Sequence, residues 1–375
     1  MIGAFFDSIP AMILLTGALV GVSAALLGSF LVLRGSAMLT DAISHSIVLG
    51  IILVWLLSGQ LAGPVQVIGA GLAGLATVLL TEALARSRLV RMDAAIGLVF
   101  PALFALGVLL IGLYARDVHL HAESVLLGEI GFVWLDTVAV GGVQVPVTVL
   151  VLAGVAAVNL GFVLLLWKEL KLAVFDPGLA AALGFAPGGV FLLLLGLTSA
   201  TAVAAFDAVG VVLFVAFVIV PPATALLLTE RLGAVVVLAV GLSLASVGAG
   251  HGLAVLWNVS IGGMMAAMTG VFFGLALLLA PRRGLVAQGL RRRGQRLDAD
   301  CAALVAHLYS HRGVSEGEER SMAALTGHLR WPETRAKAAV LRGLDRGLIA
   351  REGGRLSLRP KGTAMAQQIF GEAVR

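Results

Sequence analysis

Nine stretches of about twenty apolar residues follow one another between residues 10 and 280, and they constrain the chain more than any other feature. They lie near 10–33, 39–58, 63–85, 94–115, 143–166, 188–205, 208–229, 232–250 and 261–280. A helix crossing the hydrocarbon core of a bilayer needs about 20 such residues, because in lipid the backbone must satisfy its own hydrogen bonds. The 375 residues are 59% hydrophobic and 13% charged, with a mean hydropathy of +1.04; soluble domains carry roughly 25% charged residues. So little polar surface cannot cover a water-soluble globule. The sequence therefore predicts an all-α polytopic membrane protein with about eight or nine transmembrane helices. Nine spans, or eight and a re-entrant segment, fit the same residues. The 47 glycines suit helices that pack closely in lipid.

Charge divides the chain in two. Residues 1–280 carry 8 Lys/Arg and 12 Asp/Glu, a net of −4, whereas residues 281–375 carry 18 and 9, a net of +9; together they give the chain's +5. Between spans, basic residues gather at alternate ends: Arg34, then Arg86, Arg88 and Arg91, then Lys168 and Lys171, then Arg231, then Arg282 and Arg283. Cytoplasmic loops are the ones enriched in Lys and Arg. The N-terminus is therefore expected outside and the C-terminal region inside, with Arg116 the only basic residue on the outer side. Residues 1–10 have no basic region and carry Asp7, so a cleaved signal peptide is not expected. One cysteine, Cys301, excludes an internal disulfide and a thiolate cluster within one chain.

Two connections exceed simple turns. Residues 116–142 would lie outside, and residues 167–187 (WKELKLAVFDPGLAAALGFAP) inside. In the second, Asp176 and Pro177 read as an N-cap followed by proline at the first helical position, and Gly184 as the helix end. A short amphipathic helix on the cytoplasmic face follows. The expected domains are a transmembrane region over 1–280, a basic linker over 281–296 suited to anionic lipid headgroups, and a soluble domain over 297–375. That last domain reads as three helices, a hairpin turning at Gly353–Gly354, and a final helix, which is a winged-helix (α+β) order.

The stretch LRGSAMLTDAISHSIVLG, residues 33–50, carries the chemistry. Asp41 and His45 at i and i+4 share one helix face, and ionisable groups inside membrane segments usually face a cavity or pathway. Carboxylate oxygen with imidazole nitrogen suits Mn²⁺, Fe²⁺ and Zn²⁺. Two readings stand: metal ligands beside a route through the bundle, or an Asp–His hydrogen bond that only packs it. Asp207, between the sixth and seventh runs, reads as a helix N-cap at the outer surface or as a third pathway carboxylate. His119, His121 and Glu123 have the spacing of a metal-collecting patch, or of a solvated loop. There is no G-x-x-x-x-G-K-[ST] loop, no H-E-x-x-H and no G-x-S-x-G in a strand-to-helix setting, so no enzymatic activity is expected of this chain.

With these stretches on the page, residues 10–280 resemble the permeases of bacterial manganese, zinc and iron uptake ABC transporters. The resemblance rests on residues 33–50, on AAIGLVFPALFALGVLL (94–110), on LLGE (126–129), on WKELKLAVFDPGLAAALG (167–184) and on AVGVVLFVAFVIVPPATALLL (208–228). It implies a multi-pass protein of the bacterial cytoplasmic (inner) membrane, dimerising with a second copy of itself around a central pathway. It also implies a separate ATPase subunit on the cytoplasmic side, an extracytoplasmic solute-binding protein that delivers the ion, and a transported metal in place of any permanent cofactor. Asp41 and His45 match the family's acidic and histidine pathway positions. The segment holding Trp167, Lys168, Glu169, Phe175, Asp176, Pro177 and Gly184 matches the part that docks on the ATPase. Where the family often has Asp-x-Pro before a glycine near the last span, this chain has Asn258-Val259-Ser260.

The C-terminal region resembles the winged-helix domain of metal-dependent repressors of the diphtheria-toxin-repressor type. Arg335, Lys337 and Arg342 would lie on its recognition helix, and Arg351, Arg355 and Arg359 on its wing. Such a surface can hold duplex phosphates, though winged helices also serve as protein contacts, here against the ATPase. The leading expectation is an importer permease carrying manganese, with zinc or iron as alternatives. A proton-coupled secondary metal carrier and a membrane-tethered metal-responsive regulator are the competing readings.

Overall fold

The apolar runs become helices, and the break between the sixth and seventh is a single residue. The computed structural model describes residues 8–59, 64–115, 130–140, 143–281, 283–311, 322–352 and 354–372, which fall into two units, Met1–Ala280 and Pro281–Arg375. In the first unit, α1 (Ile9–Leu33), α2 (Met38–Ser58), α3 (Pro64–Arg86) and α4 (Met92–Tyr114) precede a 3₁₀ turn (Ile130–Phe132) and a strand pair, β1 (Thr137–Val140) and β2 (Val143–Pro146). Then come α5 (Val147–Leu165), the short α6 (Trp167–Phe175) and α7 (Pro177–Ala182), α8 (Pro187–Leu228), α9 (Leu232–Trp257) and α10 (Ile261–Leu279). Counting the two arms of α8 separately, nine helices among the described residues are long and apolar enough to cross a membrane. The fifth run starts later than its hydropathy suggests, because Val143–Pro146 is a strand paired antiparallel with Thr137–Val140.

The 42 residues of α8 would reach about 63 Å as one straight helix, twice a hydrocarbon core. The chain breaks at Gly210, whose φ of 73° and ψ of 169° belong to glycine almost alone. Phe206 and Phe214 meet edge to face at 5.7 Å, whereas eight residues of straight helix would separate them by roughly 12 Å. The two candidate spans of this helix are Pro187–Phe206 and Ala208–Leu228, with the Gly210 kink near the start of the second.

Packing centres on α1 and α8, whose apolar side chains form one core with Ile43 and Ile47 of α2. At Gly28 the backbones touch: a Cβ there would stand 2.1 Å from the Val218 carbonyl oxygen. Buried polar side chains also join helices. Asn159 of α5 donates to Thr201 Oγ1 of α8 at 2.8 Å, and Thr77 Oγ1 of α3 lies 2.6 Å from Ser46 Oγ of α2; such bonds contribute to helix association in lipid. Asn258 (φ 53°) takes the left-handed cap of α9, and the Ser260 hydroxyl accepts from the Gly263 N–H at the start of α10. Asn-x-Ser here thus turns one span into the next.

The second unit orders α11 (Leu285–Ser310), α12 (Met322–His328), α13 (Glu333–Asp345), β3 (Ile349–Glu352), β4 (Arg355–Leu358) and α14 (Pro360–Glu372), with β3 and β4 antiparallel. The basic stretch read as a linker is helical, since α11 runs unbroken from Leu285 through residues 291–296. Leu304, Leu325, Val340, Ile349 and Leu356 share its core. Among the described residues, three ion pairs tie α13 and the Arg346 that caps its end to α11: Arg335 to Asp300 through two bonds of 2.6 and 2.9 Å, Arg342 to Asp298 at 3.0 Å, and Arg346 to Asp298 at 2.8 Å.

Candidate functional site

The first turns of α2 carry the pair that the sequence singles out. Four residues, Arg34 to Ala37, separate α2 from α1, and Gly35 takes the left-handed conformation (φ 71°) that so short a turn requires. Asp41 then falls in the first turn of α2 and His45 one turn later. His45 Nε2 lies 3.5 Å from Asp41 Oδ1. N–H···O hydrogen bonds span about 2.7–3.2 Å, so this spacing is long for a packing bond. Two cis ligands each about 2.1 Å from a metal stand roughly 3.0–3.4 Å apart, which the pair nearly meets as it stands.

Neither side chain is sealed in. Both are half-buried, as partially solvated ligands would be beside a route that ions enter and leave. The imidazole is held by two rings of α4, stacking on Phe100 (5.7 Å, 29°) and meeting Phe104 edge-on (5.9 Å, 76°). These aromatic walls were not read from the sequence, although Phe100 and Phe104 lie in one of the stretches that carry the resemblance. Ser44 turns its hydroxyl to the Asp41 carbonyl (2.6 Å), and Ser46 turns its own to the Ile43 carbonyl (2.9 Å). Neither serine hydroxyl therefore points to the carboxylate.

The segment between α5 and α8 is pinned on one side and bare on the other. Leu170 and Ala173 of α6 are buried, and Trp167 meets Phe30 of α1 edge-on at 5.9 Å. Arg34 donates from Nη1 to the Ala173 carbonyl (3.3 Å) and lies 3.7 Å above the Phe191 ring. Burial lowers the Arg34 pKa, and the charge of Glu82 raises it. The Asp176 carboxylate accepts from the Leu179 N–H at 2.9 Å, capping α7 with Pro177 at its first position, and Gly184 (φ 86°) follows the helix end. Phe175, Leu179 and Leu183 stand exposed beside Lys168, Asp176, Pro177 and Gly184. Glu169 borders an apolar groove of about 870 Å³ between α1, α5, α6 and α9, and its Oε2 is buried with no hydrogen-bond partner among the described residues.

Asp207 lies on α8 three residues before the Gly210 break, and its side chain is outside the described set. His119, His121 and Glu123 fall outside the described residues, as does Arg116.

Comparison with known proteins covers the same ground. A family described as "ABC 3 transport family" matches residues 8–280. The zinc transport system membrane protein TroD of Treponema pallidum (strain Nichols) is 43% identical over 356 residues, covering 95% of this chain and 97% of TroD. The manganese transport system membrane protein MntD of Bacillus subtilis (strain 168) is 47% identical over 285 residues, covering 76% of this chain and 96% of MntD. The TroD match is longer than the whole first unit, so it reaches into the second. Among solved structures, PsaBC from Streptococcus pneumoniae in complex with Fab superposes with a TM-score of 0.61 at 28% identity, covering 76% of this chain and 98% of that one.

Proposed function

This chain belongs to the ABC 3 transport family, and on that premise we propose that it is the membrane-spanning permease subunit of an ATP-driven importer of a divalent transition metal. Manganese is the cargo we assign, with zinc and iron as the alternatives: MntD is named for manganese and TroD for zinc. The observation that carries this reading is the 3.5 Å juxtaposition of Asp41 and His45 on a half-buried face of a membrane-spanning helix. The carboxylate offsets part of the ion's dehydration, and two ligands alone hold it weakly enough to let it leave. A proton-coupled carrier would need no ATPase, and the capped, exposed α6–α7 segment supports a docking surface instead.

The permease works as a homodimer around a central pathway, with the half-exposed pair of each copy facing that pathway. Asp207 is a further carboxylate near it, and His119, His121 and Glu123 collect metal from an extracytoplasmic solute-binding protein. Trp167, Lys168, Glu169, Phe175, Asp176, Pro177 and Gly184 form the contact with the ATPase, through the exposed apolar tip of Phe175, Leu179 and Leu183. Basic residues at alternate span ends support an outside N-terminus and a cytoplasmic second unit. The helix and hairpin order of that unit supports a winged-helix module. Arg335 and Arg342, on its would-be recognition helix, are already paired with Asp300 and Asp298. That favours a protein-contact role over nucleic-acid binding.

The test is metal uptake into proteoliposomes holding this chain with its ATPase. ATP should drive manganese entry, and a proton gradient alone should not. Uptake driven by the gradient without ATPase would overturn the assignment.

A further inference from the structure

Three histidines meet in the second unit, and none of them enters the reading above. His307 and His311 sit one turn apart at the end of α11, the spacing that also joins Asp41 to His45, and His328 is the last residue of α12. One ligand nitrogen from each lies within 4.8 Å of those of the other two. The ring centroids of His307 and His311 are 4.4 Å apart, and that of His328 is 5.7 and 5.9 Å from them. His307 is buried, His311 half-buried and His328 exposed, so the cluster has an inner and an outer side.

Such a gathering is poor packing chemistry. Protonated imidazoles this close repel one another, and one ligand nitrogen of each ring converges on the other two. A cation held between the nitrogens would turn that repulsion into attraction. Three nitrogens at about 2.0–2.1 Å from a tetrahedral zinc stand about 3.4 Å apart, so side-chain rotations of roughly an ångström would close the present spacing. The His311 ring is already held: its Nδ1 lies 3.0 Å from the His307 carbonyl oxygen and 3.1 Å from Ser310 Oγ, the kind of outer contact that orients metal-bound imidazoles.

We propose that His307, His311 and His328 form a cation site for a borderline divalent metal of the zinc and cobalt class. Three imidazoles would occupy three positions and leave the fourth open to water. With nitrogen ligands alone, the site would disfavour manganese, which suits oxygen donors. Occupancy would clasp the end of α12 to the last turn of α11. This site is built from the second unit alone and stands whether or not Asp41 and His45 carry cargo.

The experiment uses the full chain in lipid nanodiscs, stripped with chelator and carrying Asp41→Ala, His45→Ala, His119→Ala and His121→Ala so that the histidines of the proposed pathway contribute nothing. Co²⁺ is titrated in and read by the visible absorption of four-coordinate cobalt. One equivalent per chain should develop the band, zinc should displace it, and equal manganese should not. His328→Gln and His311→Gln, both on rings reached by solvent, should each weaken cobalt binding by about tenfold or more. Those variants carry the test even if a change at buried His307 disturbs folding. Absence of the band in the parent, or unchanged cobalt affinity in both glutamine variants, overturns the site. Transport by the chain with Asp41 and His45 intact is a separate readout, so either proposal can fail without the other.

Discussion

His45 Nε2 stands 3.5 Å from Asp41 Oδ1 across one turn of α2, with the imidazole stacked on Phe100 of the neighbouring helix. The ring rests against Phe100 and Phe104, and its distance to the carboxylate exceeds hydrogen-bond length.

Replacing Asp41 with Asn, or His45 with Ala, should lower ATP-driven manganese uptake by roughly tenfold or more, the scale on which ligand and near-ligand changes act. Membrane insertion and ATPase association should be unchanged. Wild-type uptake in both variants, measured in proteoliposomes at matched protein levels, would remove the pair from the route.

Asp176→Ala removes the cap of α7, a loss of about 1 kcal/mol of local helix stability. Hydrogen exchange should quicken over residues 177–183 while the exchange of α1 and α8 stays as it was. If α7 forms part of the ATPase contact, uptake should fall with it. Unaltered exchange in this segment would mean that the Leu179 N–H finds another acceptor.

Gly28→Ala should destabilise the bundle by about 1–3 kcal/mol, the range for overpacking a closed interface, because its Cβ would lie 2.1 Å from the Val218 carbonyl oxygen. Gly71→Ala is the control, since nothing stands within 4 Å of the Cβ it adds. Thermal unfolding of both variants in detergent should separate them, with Gly71→Ala close to the parent.

The Asp298 carboxyl is held below its usual range, first by its hydrogen bond from Arg342 and also by Arg346. A depressed folded pKa means that the pairing contributes above the unfolded value, near 3.8, and is lost as pH falls through the folded one. Protection of α11 and α13 amides, corrected for intrinsic exchange rates, should therefore drop below about pH 4, and Asp298→Asn should flatten that dependence. An identical acid profile in the variant would assign the transition to other groups.

Much of this was legible before the fold. Hydropathy located the spans because lipid accepts little else, and the Asp176–Pro177 cap was visible because its chemistry is local. The strand pair over Thr137–Pro146 was hidden, since short apolar strands beside a span read as part of it. The Phe100 wall behind His45 and the Arg34 contacts were out of reach because they join residues 55 to 157 positions apart. The histidine triad escaped for the same reason: His307 and His311 show helical spacing, but only the fold returns His328 to them.

Arg34 has one further effect on how force travels. It grips the Ala173 carbonyl of α6 and the Phe191 ring of α8, and only seven positions later the same strand of backbone carries Asp41. A tug on α6 would therefore be felt at the carboxylate through one taut turn, with no slack loop to absorb it. The proposed docking end and the proposed ion site are, in this sense, two ends of a single short tether.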